Sequence, residues 1–439
     1  MIATMARSPR YTVIIAIAAS ISLLLVLFTF FSESMHVPLD YAHDKAKDYL
    51  HKTFKRPTDV YNCEDPYRRP GYLYMPPDIN GTNEYKKARW VPFTDDLLDA
   101  EAPETAAYPH KGDDIIFEAA DVEPQFLNAK STPRAWMIET IAEAKRRRKA
   151  VSNKKADQKA YAHMKDDNEF GWLWGKRILL FSDSVDRFMI QYFCEEFGHG
   201  MQQSVPHTTA TCTIPEFNLV FIHWHFVGSY TYTPDWWWMK DMKTIAFEDR
   251  WDEIWMPATK DIIRGKHNKP DLILWQNGLW DQRAFWESGE AHHNNTEYPM
   301  GTRERQLAWP EIRFVAARIG KFAERLEQEF SGVPTMFRGL TMHRESSMND
   351  ATIYDLDRLS RAIAEKHGHE VFEWGRIITS LGMLYKDKTH PGKGVASWLW
   401  GDMVLEYLAR IGAQGDEDRA PYFDGWDACH QYLTGWGGR

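Results

Sequence analysis

The sequence predicts an α/β fold, a doubly wound parallel sheet with helices on both faces, preceded by a transmembrane signal anchor and an irregular stem. Three observations predict it. Strand and helix signals alternate between residues 178 and 410; a short apolar run at Ile178–Phe181 passes directly into helical spacing; and an uncharged stretch lies near the N-terminus. Alternation of this kind is the pattern of a parallel sheet covered on both faces.

From the N-terminus, Thr12 to Phe31 carry no charge, a run of about 20 residues, which is the length that crosses a hydrocarbon core. Arg7 and Arg10 precede it and Glu33 follows. The positive-inside rule then gives a cytosolic tail, 1–11, an anchor, 12–31, and a remainder on the luminal side. A cleaved signal peptide is the competing reading, but the stretch exceeds a usual h-region and no small-residue cleavage site follows it. The expected location is that of a single-pass type II membrane protein of the secretory pathway, in the Golgi, with residues 12–31 in contact with lipid.

Residues 32–132 are rich in Pro, Asp, Glu and Tyr without sustained periodicity and read as a stem and irregular cap. A charged helical stretch at 134–166 leads into the main domain, 133–412. Strands are expected at 178–182, 217–223, 271–276, 334–338 and 370–374, and helices at 186–197, 309–330, 353–367 and 395–410. In the second helix Ile312, Val315, Ile319, Phe322, Leu326 and Phe330 recur every three or four residues, one apolar stripe for packing on a sheet. The tail, 413–439, reads as a surface segment packed on the domain.

A formal charge of -9 over 439 residues excludes nucleic acid as the main partner. Many of the 19 tryptophans gather between residues 224 and 286, and residues so costly to expose belong to a core or a ligand groove; Trp236, Trp237 and Trp238 suit either. In an oxidising lumen four cysteines imply two disulfides, with three pairings open. Cys194–Cys212 is preferred because both flank the first helix-to-strand connection, and Cys63–Cys429 because it ties stem to tail. Asn80 and Asn294 head N-glycosylation acceptor triplets. No metal or cofactor is expected, since neither Cys-x-x-Cys nor His-Glu-x-x-His occurs.

Three separated stretches fall at strand ends or in a late loop, where an open α/β sheet gathers its ligands. Ser184 lies in Ser182-Asp183-Ser184-Val185-Asp186-Arg187, on the turn between the first strand and its helix. A hydroxyl beside free helix N–H groups is half of an acyl-transfer site; the same three residues also serve as ordinary helix caps. Gln276-Asn277-Gly278 follows the third strand. Asp387-Lys388-Thr389-His390 precedes the last helix, and its spacing lets one turn place the carboxylate under the imidazole.

Ser182-Asp183-Ser184 and Asp387-x-x-His390 together resemble the first and last blocks of the SGNH, or GDSL-like, hydrolase superfamily. The likeness covers roughly residues 170–412 and is greatest to its fungal membrane-anchored branch, related to the PC-esterase and trichome-birefringence-like O-acetyltransferases. Ser182 replaces the usual Gly, and Gln276-Asn277-Gly278 departs from Gly-x-Asn-Asp. The resemblance implies a flavodoxin-like SGNH sheet, Ser184 as nucleophile, His390 as base and Asp387 as its orienter. It also implies an oxyanion hole from the Ser184 amide, Gly228 and Asn277, with Gln276 in reserve for Asn277.

The expected function is a luminal serine acyl-ester hydrolase or O-acyltransferase acting on acetyl groups of a glycan, with an acyl donor as partner in the transferase case. The alternatives are an inactive glycan-binding or scaffold protein of the same fold, and a type II glycosyltransferase resting on Asp355-Leu356-Asp357.

Overall fold

A computed structural model describes residues 65–76, 84–93, 132–151, 158–166, 169–203, 205–263, 269–293, 305–344, 350–379 and 381–412. The chain divides into two compact units, Met1–Asp59 and Val60–Arg439, and everything below concerns the second. The anchor 12–31, the tail 413–439, Asn80, Asn294 and the pair Cys63–Cys429 lie outside the described residues. Among the described residues no helix is long and apolar enough to cross a membrane.

A hairpin of β1 (Gly71–Tyr74) and β2 (Arg89–Pro92) precedes helix α1 (Trp136–Ala150). The main sheet begins with β3 (Arg177–Ser182), which feeds α2 (Ser184–Glu196). Next come β4 (Gln202–Gln203), β5 (Thr209–Ile214) and β6 (Leu219–His225), then the helical turns α3 (Phe247–Arg250) and α4 (Met256–Ile263), joined by a π-turn. The chain continues through β7 (Leu272–Trp275), α5 (Leu279–His293), α6 (Trp309–Glu329), β8 (Thr335–Arg338) and α7 (Ala351–Lys366). It closes with β9 (Glu370–Phe372), α8 (Trp374–Ile378) and α9 (Val395–Gly412).

The sheet runs β4-β5-β6-β3-β7-β8-β9. Its five strands β6, β3, β7, β8 and β9 are parallel and, counted in chain order, lie as 2-1-3-4-5, the doubly wound arrangement whose switch point falls between β3 and β7. The sheet is mixed rather than wholly parallel, which corrects the sequence expectation: β5 pairs antiparallel with both β4 and β6. Only Pro215–Phe217 and a left-handed Asn218 (φ 49°) separate β5 from β6, too short a link for a parallel crossover.

Strand alternation sorts the core onto two faces. Ile178, Leu180, Leu272, Leu274 and Met336 meet residues of α1, α2 and α9 on one side. Leu179, Phe181, Ile273, Trp275 and Phe337 meet those of α6 and α7 on the other. Trp224, Trp251 and Trp255 surround Phe181 at 4.8–5.7 Å between ring centroids, so much of the tryptophan-rich region is core. The α6 stripe enters this face through Val315, Ile319, Phe322 and Leu326.

Part of the segment expected to be an irregular cap is packed. Arg68 donates to Glu370 at 2.6 Å, Tyr407 donates to Asp65 at 2.8 Å, and the Trp90 indole donates to the Pro66 carbonyl at 2.7 Å. Cys194 in α2 and Cys212 in β5 are joined by a disulfide.

Candidate active site

β3 ends at Ser182 and α2 begins at Ser184, two residues before the expected start. Asp183 causes the early start: extended at φ -93°, ψ -159°, it caps the helix by accepting from the Val185 amide at 2.8 Å. Capping and exposure of the Ser184 hydroxyl are therefore two properties of one turn. The Ser184 amide stands in the first helical turn, where N–H groups have no intrahelical acceptor.

The late loop brings the other two expected residues to this hydroxyl. Ser184 Oγ lies 2.8 Å from His390 Nε2. On the far side of the ring, His390 Nδ1 stands 2.9 Å from Asp387 Oδ2 and 3.0 Å from Oδ1. An ionised carboxylate only accepts, so Nδ1 carries the proton and Nε2 is left to accept from Ser184 O–H. Burial pushes the Asp387 carboxyl up, but the amides of Thr389 and His390 and the imidazole outweigh it and hold the group below its ordinary value. Those amides donate to Asp387 Oδ1 at 2.8 Å each. The turn is closed by the Lys386 amide on the His390 carbonyl, 2.9 Å, and the Gly392 amide on the Leu384 carbonyl, 2.7 Å. Phe188, one turn along α2, sets its ring edge-on to His390 at 5.0 Å.

His343, which sequence reasoning missed, steadies the loop from outside. Its Nδ1 lies 3.0 Å from Thr389 Oγ1 and its Nε2 lies 2.8 Å from Gln282 Oε1. No sequence signal marks this residue, because its partners sit on α5 and in the late loop.

The floor of the site is a polar row across the ends of neighbouring strands. His225 pairs in register with Ser182; Gln276 follows the Phe181–Trp275 pair, and Arg338 follows Trp275–Phe337. Alternation directs all four toward the face that carries α2. Ser182 Oγ, both carboxamide atoms of Gln276 and both ring nitrogens of His225 are buried with no hydrogen-bond partner among the described residues. Arg338 instead pairs with Asp186 of α2 at 2.8 Å. His223, one step down β6, stands with Nε2 3.1 Å from the Asp183 carbonyl. Burial first, and the charge of Arg187 second, lower its pKa to about 3, so a neutral ring donates there.

Asn277 departs from the expectation. Its Oδ1 accepts from Ser360 of α7 at 2.9 Å and its Nδ2 donates to Asp281 at 3.1 Å. Because α7 packs on the sheet face opposite α2, this carboxamide turns away from Ser184. Gln276, one residue earlier, has the required direction, and counting by twos from Leu272 and Leu274 along β7 could have found it.

Gly228 lies just beyond β6, where the Phe226 amide donates to the Ser182 carbonyl at 2.8 Å. Its φ of +116° and a Cβ position only 2.5 Å from Asp281 Oδ1 exclude any other residue. Asp281 accepts from the Ser229 amide at 2.7 Å and so fixes this loop; burial raises its pKa to about 6.

No protein-family model matches the chain, and no curated protein does. Among solved structures, an acetylxylan esterase from Geobacillus stearothermophilus is similar at a TM-score of 0.28 and 13% identity, over 55% of this chain and 94% of its own. A protein designated a GDSL-like lipase, from Parabacteroides merdae, is similar at 0.29 and 11%, over 55% and 95%. Scores this low decide neither fold nor function.

The remaining candidates are held in structural contacts. Asp355 accepts from the Leu307 amide, and Asp357 accepts from the Leu340 amide and pairs with Arg361, which leaves neither carboxylate of the Asp-x-Asp motif aimed at a ligand. No group of three metal-ligating side chains occurs among the described residues. Trp237 is buried, while the half-buried Trp238 and Trp280 pack on it and on each other, 5.5 Å between their centroids.

Proposed function

We propose that the protein is a serine acyl-ester hydrolase or O-acyltransferase that acts on O-acyl groups of a glycan. The observation that carries this reading is the continuous line from Asp387 through His390 to Ser184, at 2.9 Å and 2.8 Å. His390 takes the Ser184 proton as Oγ attacks the ester carbonyl carbon. The negative charge that develops on the carbonyl oxygen is met by the amides of Ser184 and Gly228 and by the Gln276 carboxamide in place of Asn277. Collapse breaks the bond to the leaving alkoxide, which takes the proton back from His390, and the acyl group stays on Ser184. Water as second acceptor makes an esterase; a sugar hydroxyl makes a transferase. If residues 12–31 span a membrane as their composition suggests, the reaction takes place on the luminal side.

A fluorophosphonate probe tests the nucleophile: the full-length chain becomes labelled and Ser184→Ala does not. Absence of labelling from folded wild type leaves the scaffold reading in its place, and labelling that persists in Ser184→Ala moves the nucleophile to another residue. Acetate release from p-nitrophenyl acetate, followed with and without polysaccharide acceptors, separates hydrolase from transferase.

A further inference from the structure

Arg187 stands three residues after Ser184 on α2, the spacing that places two side chains on one helix face about 5–6 Å apart at Cβ. It is half-buried, its guanidinium carbon 4.5 Å from the centre of the Phe188 ring whose edge touches His390. Among the described residues its one side-chain hydrogen bond is a long one, 3.4 Å, to Gln203, and it forms no ion pair with any described carboxylate. A half-buried guanidinium with most of its donors unengaged, beside a nucleophile, is set to receive a ligand anion.

The surroundings point the same way. His207, His223, His225 and Lys386 all lie within the electrostatic reach of Arg187. Asp183 is the carboxylate that acts back on it, and that group caps α2. Asp387 offsets Lys386 and is itself engaged by His390. In a chain of net charge -9, cationic and imidazole groups thus gather beside the hydroxyl. His207 and His225 meet the half-buried indole of Trp280 at steep interplanar angles, 5.5 Å and 5.0 Å between centroids.

We infer that Arg187 is a specificity-determining residue that binds a carboxylate on the acylated sugar, so that the substrate is an O-acylated acidic glycan with its uronate on the esterified residue or its neighbour. The planar guanidinium fork takes both carboxylate oxygens, which neither Lys386 nor an imidazole does. This inference rests on the acyl-ester reading above.

The test compares two O-acetylated galacturonate oligosaccharides that differ only in whether the carboxyl is free or methyl-esterified. The full-length protein should release acetate from the free acid with a kcat/KM at least tenfold higher, the gain lying in KM. In Arg187→Gln that ratio falls to near one, and in Arg187→Lys it is intermediate; because each ratio is internal to one variant, a general loss of activity cancels. Equal rates on acid and methyl ester in wild type, or an acid preference that survives Arg187→Gln, overturn the inference and leave the esterase reading standing. Calorimetry on Ser184→Ala gives the binding arm: the free acid binds at least tenfold more tightly than the methyl ester, and equal affinities overturn the inference even if no turnover is seen. Absence of probe labelling at Ser184 overturns the acyl-ester reading instead.

Discussion

Arg338 at the end of β8 and Asp186 in the first turn of α2 form an ion pair 2.8 Å long, with each side chain 1% exposed, directly beneath the helix start that carries Ser184. Taking two charges out of water is costly, and burial accordingly raises the Asp186 pKa while Arg338 works against that rise. What the pair contributes is position: it binds the last turn of one strand to the first turn of another strand's helix.

Arg338→Met should therefore destabilise the protein by roughly 3–5 kcal/mol, the cost of leaving one buried charge unpaired. The double variant Asp186→Leu with Arg338→Met should recover most of that loss. Urea unfolding of the three proteins measures this, and a double variant no better than the single one would refute the pairing argument.

Gln276 and Asn277 should separate cleanly by readout. Gln276→Ala should lower kcat by about 10²–10³, the effect of removing one oxyanion donor, with little change in KM. Asn277→Ala breaks the link from Asp281 to Ser360 and should act on stability instead. Steady-state kinetics paired with thermal denaturation distinguishes them; the reverse pattern would restore Asn277 to the oxyanion hole.

Asp387→Asn should keep the fold and lose roughly 10⁴ in kcat, because a carboxamide no longer selects the tautomer that leaves Nε2 free to accept. The Asp387 side chain is 48% exposed, so its melting temperature should barely move. A large stability change would place Asp387 among structural residues.

Asp402 should contribute a component of stability that falls as pH rises from 4 toward 8, opposite in sign to that of the buried, neutral His223. This buried carboxyl of α9 is raised to about 7 by burial, above the ordinary value of 3.8. A raised folded-state value means that the protonated form is favoured by folding, so its contribution is complete below about pH 4 and disappears as pH climbs through 7. Asp402→Asn retains an acceptor for the Met137 amide, now 2.7 Å from Oδ1, and should remove this component, making the slope of stability against pH more positive than in wild type. Melting temperatures across that pH range decide it: an unchanged slope in the variant would rule out this residue as a source.

Much of the parallel core was legible locally. Each of the five expected strands overlaps a strand of the structure, and α2, α6, α7 and α9 lie within a few residues of the expected helices. What escaped includes β1, β2, β4, β5, α3, α4, α5 and α8. β4 is a two-residue polar strand at the sheet edge, where half the hydrogen-bonding partners are absent, and β5, paired on both sides, alternates threonine with the small or single apolar residues Ala210, Cys212 and Ile214. Helix α5 mixes charge with Trp280 and Trp286 and presents no single stripe, and α4 is eight residues long with Pro257 in its first turn.

By itself the sequence determined the chemistry on offer, a serine at a strand-to-helix turn and a histidine three residues after an aspartate, because each unit is built within one turn of chain. The tertiary structure alone decided that Ser184 and His390, 206 residues apart, share a hydrogen bond, and that Gln276 rather than Asn277 continues the face of β7 that carries α2. That choice depends on which side of β7 points at α2, a property of how strands lie next to one another and not of any residue read in isolation.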